Sequence, residues 1–386
     1  MTEMAHQPME KVVNFVTVEA KVLSKAMKIA TAIVEPRNTI PILSAVRLNY
    51  DRKGLVIEAT DLDMTARIEV DEIDGDGTWS ICLIARDLAA IAAAAGTAPL
   101  RIETISDPDA KPTAVLSAGE ATYNVQAYSP SDFPEIDGQR MQRVEKFTNG
   151  QLAAMFKKVA FCISTEETRY YLNGINWAAK PDGKRFAATD GHRLALCRYS
   201  ANENEATFSY IIPRKTVSIV SQFMDGADIE IFSVGKGNTI VDTLLELKGP
   251  GVALRTKLID GTYPDIDRVI PNKENHRLNV RRDEMLTAIR QATAIGAWRG
   301  AAIRLRGISG RMRVETKNPD FGTADVCTSA AWPEGAPECG VNSRYLTEMV
   351  RNCQGDIRFG MADAGAPLTL SDDDKDMTRL LMPMRV

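Results

Sequence analysis

The chain has little of what catalytic or exported proteins rely on. Its six cysteines (82, 162, 197, 327, 339 and 353) form no CxxC pair and no cluster. That argues against a disulfide framework and leaves free thiols in a reducing cytoplasm as the simplest reading. Three histidines, none in an HExxH spacing, argue against a zinc site. The opening stretch, MTEMAHQPMEKVV, lacks the apolar core of a signal peptide. The longest apolar-looking run, residues 88–95, is too short to span a bilayer. No GxxxxGK[ST] pattern occurs, so Gly75-Asp76-Gly77 and Gly235-Lys236-Gly237 read as hairpin turns. Asp372-Asp373-Asp374-Lys375-Asp376 lacks calcium-loop spacing and reads as a solvated turn.

What the chain does contain is a period close to 130 residues. A β-turn glycine recurs at Gly54, Gly183 and Gly310, spaced 129 and 127 apart. Arg86, Arg214 and Arg344 each open an apolar helical stretch, 128 and then 130 apart. Phe133-Pro134 and Tyr263-Pro264 also repeat 130 apart. Three unrelated markers on one beat predict a domain used three times, a geometric object rather than a single catalytic cleft. A chain of 386 residues, 44% hydrophobic and 25% charged, has the length for such an array.

The net charge of −4 hides a distribution. Twelve-residue windows over the six helix-like segments carry +2 (19–30, 150–161 and 213–224), +1 (281–292 and 343–354) or 0 (86–97). Together they hold +8, which leaves −12 on the rest of the chain. Basic helices on an acidic background suit a protein that draws a polyanion to one surface and repels it elsewhere.

Each third reads as strand, helix, several strands, helix, several strands: an α+β plan with two helices on antiparallel sheet. Helices are expected over 21–30, 86–94, 151–160, 214–223, 282–292 and 343–353. On the first, Lys21, Lys25 and Lys28 share one face, with Val22, Ala26 and Ile29 on the neighbouring apolar face. Residues 40–50, 168–180 and 377–386 read as extended strands, and polar joints fall at 137–145 and 269–277. The expected divisions are an extension over 1–13 and domains over 14–142, 143–271 and 272–386. An arc of such domains leaves edge strands at both ends, and pairing the last domain of one copy with the first of another closes it.

TRYYLNG (168–174), ATDGHRLAL (188–196), PRK (213–215), LIDGTYPDIDRVIP (258–271) and MPMRV (382–386) resemble, in order, motifs of the bacterial DNA polymerase III β subunit, the replicative sliding-clamp family. The resemblance spans all three thirds. It implies a head-to-tail homodimeric ring of three-domain chains whose twelve helices line a hole for double-stranded DNA of any sequence. It implies a processivity factor with no catalytic site, no cofactor and no metal, acting in the cytoplasm at the nucleoid. Its implied partners are a second copy of itself, the replicative polymerase α subunit, the clamp loader, and other polymerases and repair proteins that carry short peptide motifs.

By that resemblance Arg37, Tyr170 and Tyr171 contact DNA, and charge and position add Arg169, Arg214 and Lys215. Lys21, Lys25 and Lys28 line the pore or, on the plainer reading, form a solvated helix face. The tyrosines stack on bases, or pack as strand residues, with alternation sending only one inward. Glu166 stands where the family often has a neutral polar residue, and an acid there weakens local DNA contact. The implied partner pocket comprises Leu172, Thr189, Gly191, His192, Arg193, Leu194, Pro264, Arg268, Val269, Leu380, Met382, Pro383, Met384 and Arg385. Its Leu, Val and Met side chains make an adaptable apolar slot, Pro383 stiffens the last strand, and Arg and His rim the slot with donors. Arg379 and Pro367, close by, depart from the family pattern. Ring closure is implied to place Tyr123 and Val125 against Ala294 and Ile295 of the other copy, and the small Ala294 suggests a ring that opens readily.

Two rival readings follow from the same residues. Asp61, Asp63, Asp190 and His192 could serve a metal-dependent nuclease or hydrolase. Against this, the other repeats carry Thr60-Asp61-Leu62-Asp63 and Thr316-Lys317-Asn318-Pro319 at the matching place, so Asp190 reads as a turn former. The other rival is a monomeric three-domain scaffold that binds partners without enclosing DNA.

Overall fold

The computed structural model describes residues 13–385 apart from 36–38, 106–111, 136–140, 182, 200–206, 237–238, 296–301 and 321. The first third runs β1 (Val13–Glu19), α1 (Ala20–Ile33), β2 (Ala45–Asp51), β3 (Gly54–Thr60), β4 (Met64–Val70), β5 (Glu72–Asp76), β6 (Trp79–Ile84), α2 (Ala85–Ala95), β7 (Pro99–Ile105), β8 (Thr113–Ala118) and β9 (Ala121–Gln126). The second runs β10 (Met141–Phe147), α3 (Gln151–Val159), β11 (Gly174–Lys180), β12 (Gly183–Thr189), β13 (Arg193–Tyr199), β14 (Phe208–Pro213), α4 (Arg214–Phe223), β15 (Ile229–Lys236), β16 (Thr239–Gly249) and β17 (Val252–Lys257). The third runs β18 (His276–Arg281), α5 (Arg282–Ala292), β19 (Ala302–Ile308), β20 (Arg311–Asn318), β21 (Gly322–Ala331), β22 (Cys339–Asn342), α6 (Ser343–Arg351), β23 (Asp356–Met361), β24 (Leu368–Ser371) and β25 (Met377–Leu381). The three marker glycines sit in hairpin turns at φ 114°, 127° and 74°. Only glycine enters that range freely, which is why the period is written in glycine.

The chain forms two compact units: Met1–Leu152 with Gln222–Lys257, and Ala153–Ser221 with Leu258–Val386. Both cut across the expected thirds. The first holds the sheets β5-β1-β7-β8-β9 and β10-β15-β16-β17-β4-β3-β2-β6, and the second holds β14-β11-β12-β13-β25-β24-β23-β18 and β21-β20-β19-β22. In the first unit β17 pairs antiparallel with β4, setting Leu254 opposite Ala66. In the second β25 pairs antiparallel with β13, setting Leu380 opposite Leu194. Twice, then, the closing strand of one third is hydrogen-bonded to the third strand of the leading hairpin set in the third before it. The remaining closing strand, β9, and the remaining counterpart, β21, each lie at a sheet edge.

Apolar spacing explains the helices. Leu23, Met27, Ala30 and Ile33 of α1 are buried, the i, i+4, i+7 and i+10 stripe of an amphipathic helix. That stripe carries α1 three residues beyond the expected end and packs it on α2 and the β3–β4 hairpin. α5 packs on α6 and on β21.

Four sequence expectations need correction. Pro41–Ser44 is a 3-10 turn, so the strand begins at Ala45; proline suits the first position of such a turn, where no N–H is needed. Glu167–Leu172 is likewise a 3-10 turn, kinked at Arg169 (φ −111°, ψ 52°), although its β-favouring tyrosines read as strand. The last strand stops at Leu381, ahead of Pro383, which has no N–H to give a sheet, so Pro383 stiffens a coil rather than a strand. The expected joint at 137–145 is partly strand: Met141–Phe147 is templated by its partner β15 rather than by its own weak propensity.

Candidate nucleic-acid face and partner pocket

Lys21, Lys25 and Lys28 are exposed, with no acidic partner among the described residues. Arg214 opens α4, where its backbone N–H donates to the Asn173 carbonyl (3.1 Å), tying the helix to the Tyr170–Tyr171 turn; its side chain is exposed and that of Lys215 half-buried. Arg37 lies outside the described residues. Because the tyrosines sit on a 3-10 turn, strand alternation does not sort them. Tyr170 is 55% exposed. Tyr171 is half-buried, packs on the apolar cluster below, and meets Tyr170 edge-on at 5.9 Å. A free aromatic face backed by a second ring can receive a base.

Arg169 is not free. Its Nε and Nη2 donate to Glu166 Oε2 at 2.8 and 2.6 Å, and that hydrogen bonding to Glu166, ahead of the Coulomb attraction, raises the guanidinium pKa. A carboxylate clasping the cation offsets its attraction for phosphate.

The implied pocket residues converge within the second unit. Leu172, Leu194 and Leu380 form a buried cluster with Ala187, Leu196, Ile211, Tyr263 and Ile266. Tyr263 Oη accepts the Thr189 backbone N–H (2.9 Å), and burial raises its phenol pKa. Val269 (46% exposed), Met382 (38%) and Met384 (39%) leave apolar surface open to solvent. Pro264 and Arg385 are exposed, Pro383 is half-buried, and Arg268 is exposed and paired with Asp265 at 3.0 Å. The coil after β25 is pinned as Met382 N–H donates to His192 O and Met384 N–H to Gly340 O, both at 2.8 Å.

The turn from β12 to β13 is built by Asp190. Its Oδ1 accepts the N–H groups of His192 (2.9 Å) and Arg193 (3.1 Å), and Oδ2 accepts Arg193 Nε (3.0 Å). Asp61 does the same in the first third, accepting from Asp63 (3.0 Å) and Met64 (2.7 Å). Both aspartates are turn formers, Asp190 with both oxygens engaged and Asp61 through Oδ1. Asp61 and Asp63 belong to one compact unit, Asp190 and His192 to the other. No group of three or more His, Cys, Asp or Glu is placed to hold a metal among the described residues.

Arg193 departs from the expected rim. It is buried, bridged to Asp190 and Glu348, and lies 4.4 Å over the Tyr345 ring. A guanidinium so enclosed braces the turn from within rather than standing on an open rim. His192 stays exposed, stacked on Tyr345 with centroids 6.0 Å apart. Tyr345 and Glu348 were missed in the sequence; their i, i+3 spacing on α6 was the available signal. Asn342 caps that helix, its Oδ1 accepting from Arg344 and Tyr345.

Tyr123 and Val125 are half-buried on the edge strand β9. Beside them a cavity of about 340 Å³ is lined by Leu88 and Ile91 of α2, Leu116, Val125 and Tyr128. Ala294 and Ile295 are exposed just beyond α5.

Family models of the N-terminal, central and C-terminal domains of the DNA polymerase III beta subunit match residues 14–137, 146–265 and 267–385. A beta sliding clamp of Caulobacter vibrioides is 31% identical to the chain, covering 96% of it and 99% of the relative. The chain belongs to the DNA polymerase III beta subunit family. The beta sliding clamp of Escherichia coli K12 is 23% identical over the same shares. The crystal structure of the C. crescentus clamp superposes with a TM-score of 0.89 at 30% identity, covering 97% of this chain and 99% of its own. A Bartonella birtlesii clamp bound to griselimycin gives 0.87 at 29%, covering 97% and 100%. The chain is a replicative DNA sliding clamp, a processivity factor rather than an enzyme.

Proposed function

We infer that this clamp closes by joining β9 of one copy to β21 of the other. The observation that carries this is the repeated pairing: β17 with β4 and β25 with β13 leave these two strands alone of their kind at sheet edges. The same joint brings Tyr123, Val125 and their cavity within reach of Ala294 and Ile295 of the partner copy, with domain limits at 14–142, 143–271 and 272–386. Lys21, Lys25, Lys28, Arg214 and Lys215 hold duplex by phosphate contacts that carry no sequence information, so the ring slides while closure prevents escape. Tyr170 offers a face for an unpaired base. The apolar cluster with Val269, Met382 and Met384 receives the short motifs of polymerases, loader and repair proteins, at the nucleoid in the cytoplasm.

The test is retention. Loaded on a nicked circle, the clamp should remain bound and should run off when the circle is cut. Val125→Arg should convert a dimer of twice 42.3 kDa to monomer in sedimentation and abolish that retention. Equal loss from circular and linear DNA would refute enclosure, and a Val125→Arg dimer would refute the joint.

A further inference from the structure

Arg169 is shared ground between the two surfaces of this clamp. It precedes Tyr170 on the turn assigned to DNA, yet its guanidinium does not point its charge away from the protein. Glu166 holds Nε and Nη2 on one carboxylate oxygen (2.8 and 2.6 Å). Nη1 lies so close over Gly191 that a Cβ there would sit 2.6 Å from it. Gly191, at φ 87°, belongs to the Thr189–Arg193 turn that walls the partner pocket, next to the exposed His192. Asp190 and Tyr171 add to the field at the same guanidinium. Two of its five N–H groups are thus spent on Glu166, and Nη1 lies against the Gly191 turn.

We propose that Glu166 is a specificity-determining residue: by clasping Arg169 over the Gly191 turn, it commits that guanidinium to the partner pocket and withdraws it from DNA. The Glu166–Arg169 pair is close to neutral as seen by a polyanion, so it does not hold a phosphate. At the pocket the remaining Nη1 donors face a segment lying across Gly191 and His192. The segment that fits is one that presents a backbone carbonyl, a neutral acceptor, beside its apolar anchors. This inference rests on the partner-pocket reading above.

The experiment uses the full-length homodimer and three variants, at the exposed Glu166 and Met382 and the half-buried Arg169: Glu166→Ala, Arg169→Ala and Met382→Ala. The probes are a labelled pentapeptide that begins with glutamine and ends on two bulky apolar residues, and a short primer–template DNA titrated across salt. Arg169→Ala should weaken the peptide about tenfold, a typical loss for a charge-assisted hydrogen bond, and leave the salt slope unchanged. Glu166→Ala should weaken the peptide and steepen the salt slope by about 0.9, the value for one more neutralised phosphate. The proposal is overturned if Arg169→Ala lowers the slope by that amount with peptide affinity intact, or if Glu166→Ala leaves both readouts unmoved. Met382→Ala separates the two levels. If it weakens the peptide while Arg169→Ala does not, the pocket stands and this inference falls; if neither weakens it, the pocket reading itself has failed.

Discussion

Arg379 and Asp372 offer a sharp test of how the partner pocket is held. Their side chains are 1% and 0% exposed, and Nη2 approaches Oδ2 at 3.2 Å. Nη2 also donates to Asn352 O (2.9 Å), but Nε and Nη1 have no partner among the described residues. Asp372 is better supplied, accepting backbone N–H groups of Gln354 (2.7 Å) and Asp374 (3.1 Å). Removing one member of a buried pair costs about 3–5 kcal/mol, because the other charge stays behind. Arg379→Met leaves a carboxylate that keeps two donors, so it belongs at about 3 kcal/mol; Asp372→Asn strands an underbonded guanidinium and belongs nearer 5. If the sites were independent, the double variant would lose about 8 kcal/mol. Because both charges leave together, it should lose only about 2, a coupling near 6 kcal/mol. Urea unfolding of the homodimer at one fixed protein concentration gives all four corners of the cycle. Arg379 directly precedes Leu380 of the buried cluster, so peptide affinity should fall in both single variants and return in the double. Single costs below about 1 kcal/mol, or a double variant at the sum, would refute the reasoning.

Three other outcomes are expected. A thiol reagent at neutral pH should label one cysteine per chain, Cys327; burial keeps Cys82 up at about 12, Cys197, Cys339 and Cys353 at about 11, and Cys162 well above the usual thiol value. Asp267, hydrogen-bonded first to Arg185 and then to Lys180, has its carboxyl pKa held well below the usual range. With the folded value depressed, its stabilisation is full at neutral pH and is lost as pH falls from about 4 toward the folded value. Stabilities of wild type and Asp267→Asn should therefore differ above pH about 4 and converge in stronger acid, and a gap that widens in acid would reverse the sign. Replacing Lys21, Lys25 and Lys28 together by alanine should flatten the DNA salt slope by about 2.7 per chain, about 0.9 for each phosphate no longer neutralised, with pentapeptide affinity unchanged.

The period, the six helices and most strands were legible because they are local: glycine at turns, apolar residues at helical spacing, arginine at helix starts. The pairing of β17 with β4 and of β25 with β13 was not, since it joins strands about 180 residues apart that carry no mark of each other. Nor could alternation place Tyr170 and Tyr171, because a 3-10 turn replaced the expected strand. Arg193 was misread as a rim donor for a related reason. Its partners Glu348 and Tyr345 come from α6, some 150 residues on, and only the fold shows that they enclose it. The Asp190 turn was read correctly because the first third contains its twin.

The strand exchange between thirds also bears on how such a chain can change length. Each third borrows its neighbour's backbone edge, so none could be excised without baring a row of amide groups. Adding or removing a whole third, however, would leave the same two terminal strands, one of each kind, seeking the same mate. On the proposed joint the seam is thus indifferent to how many repeats separate its halves, and a polypeptide of one repeat would carry both of them.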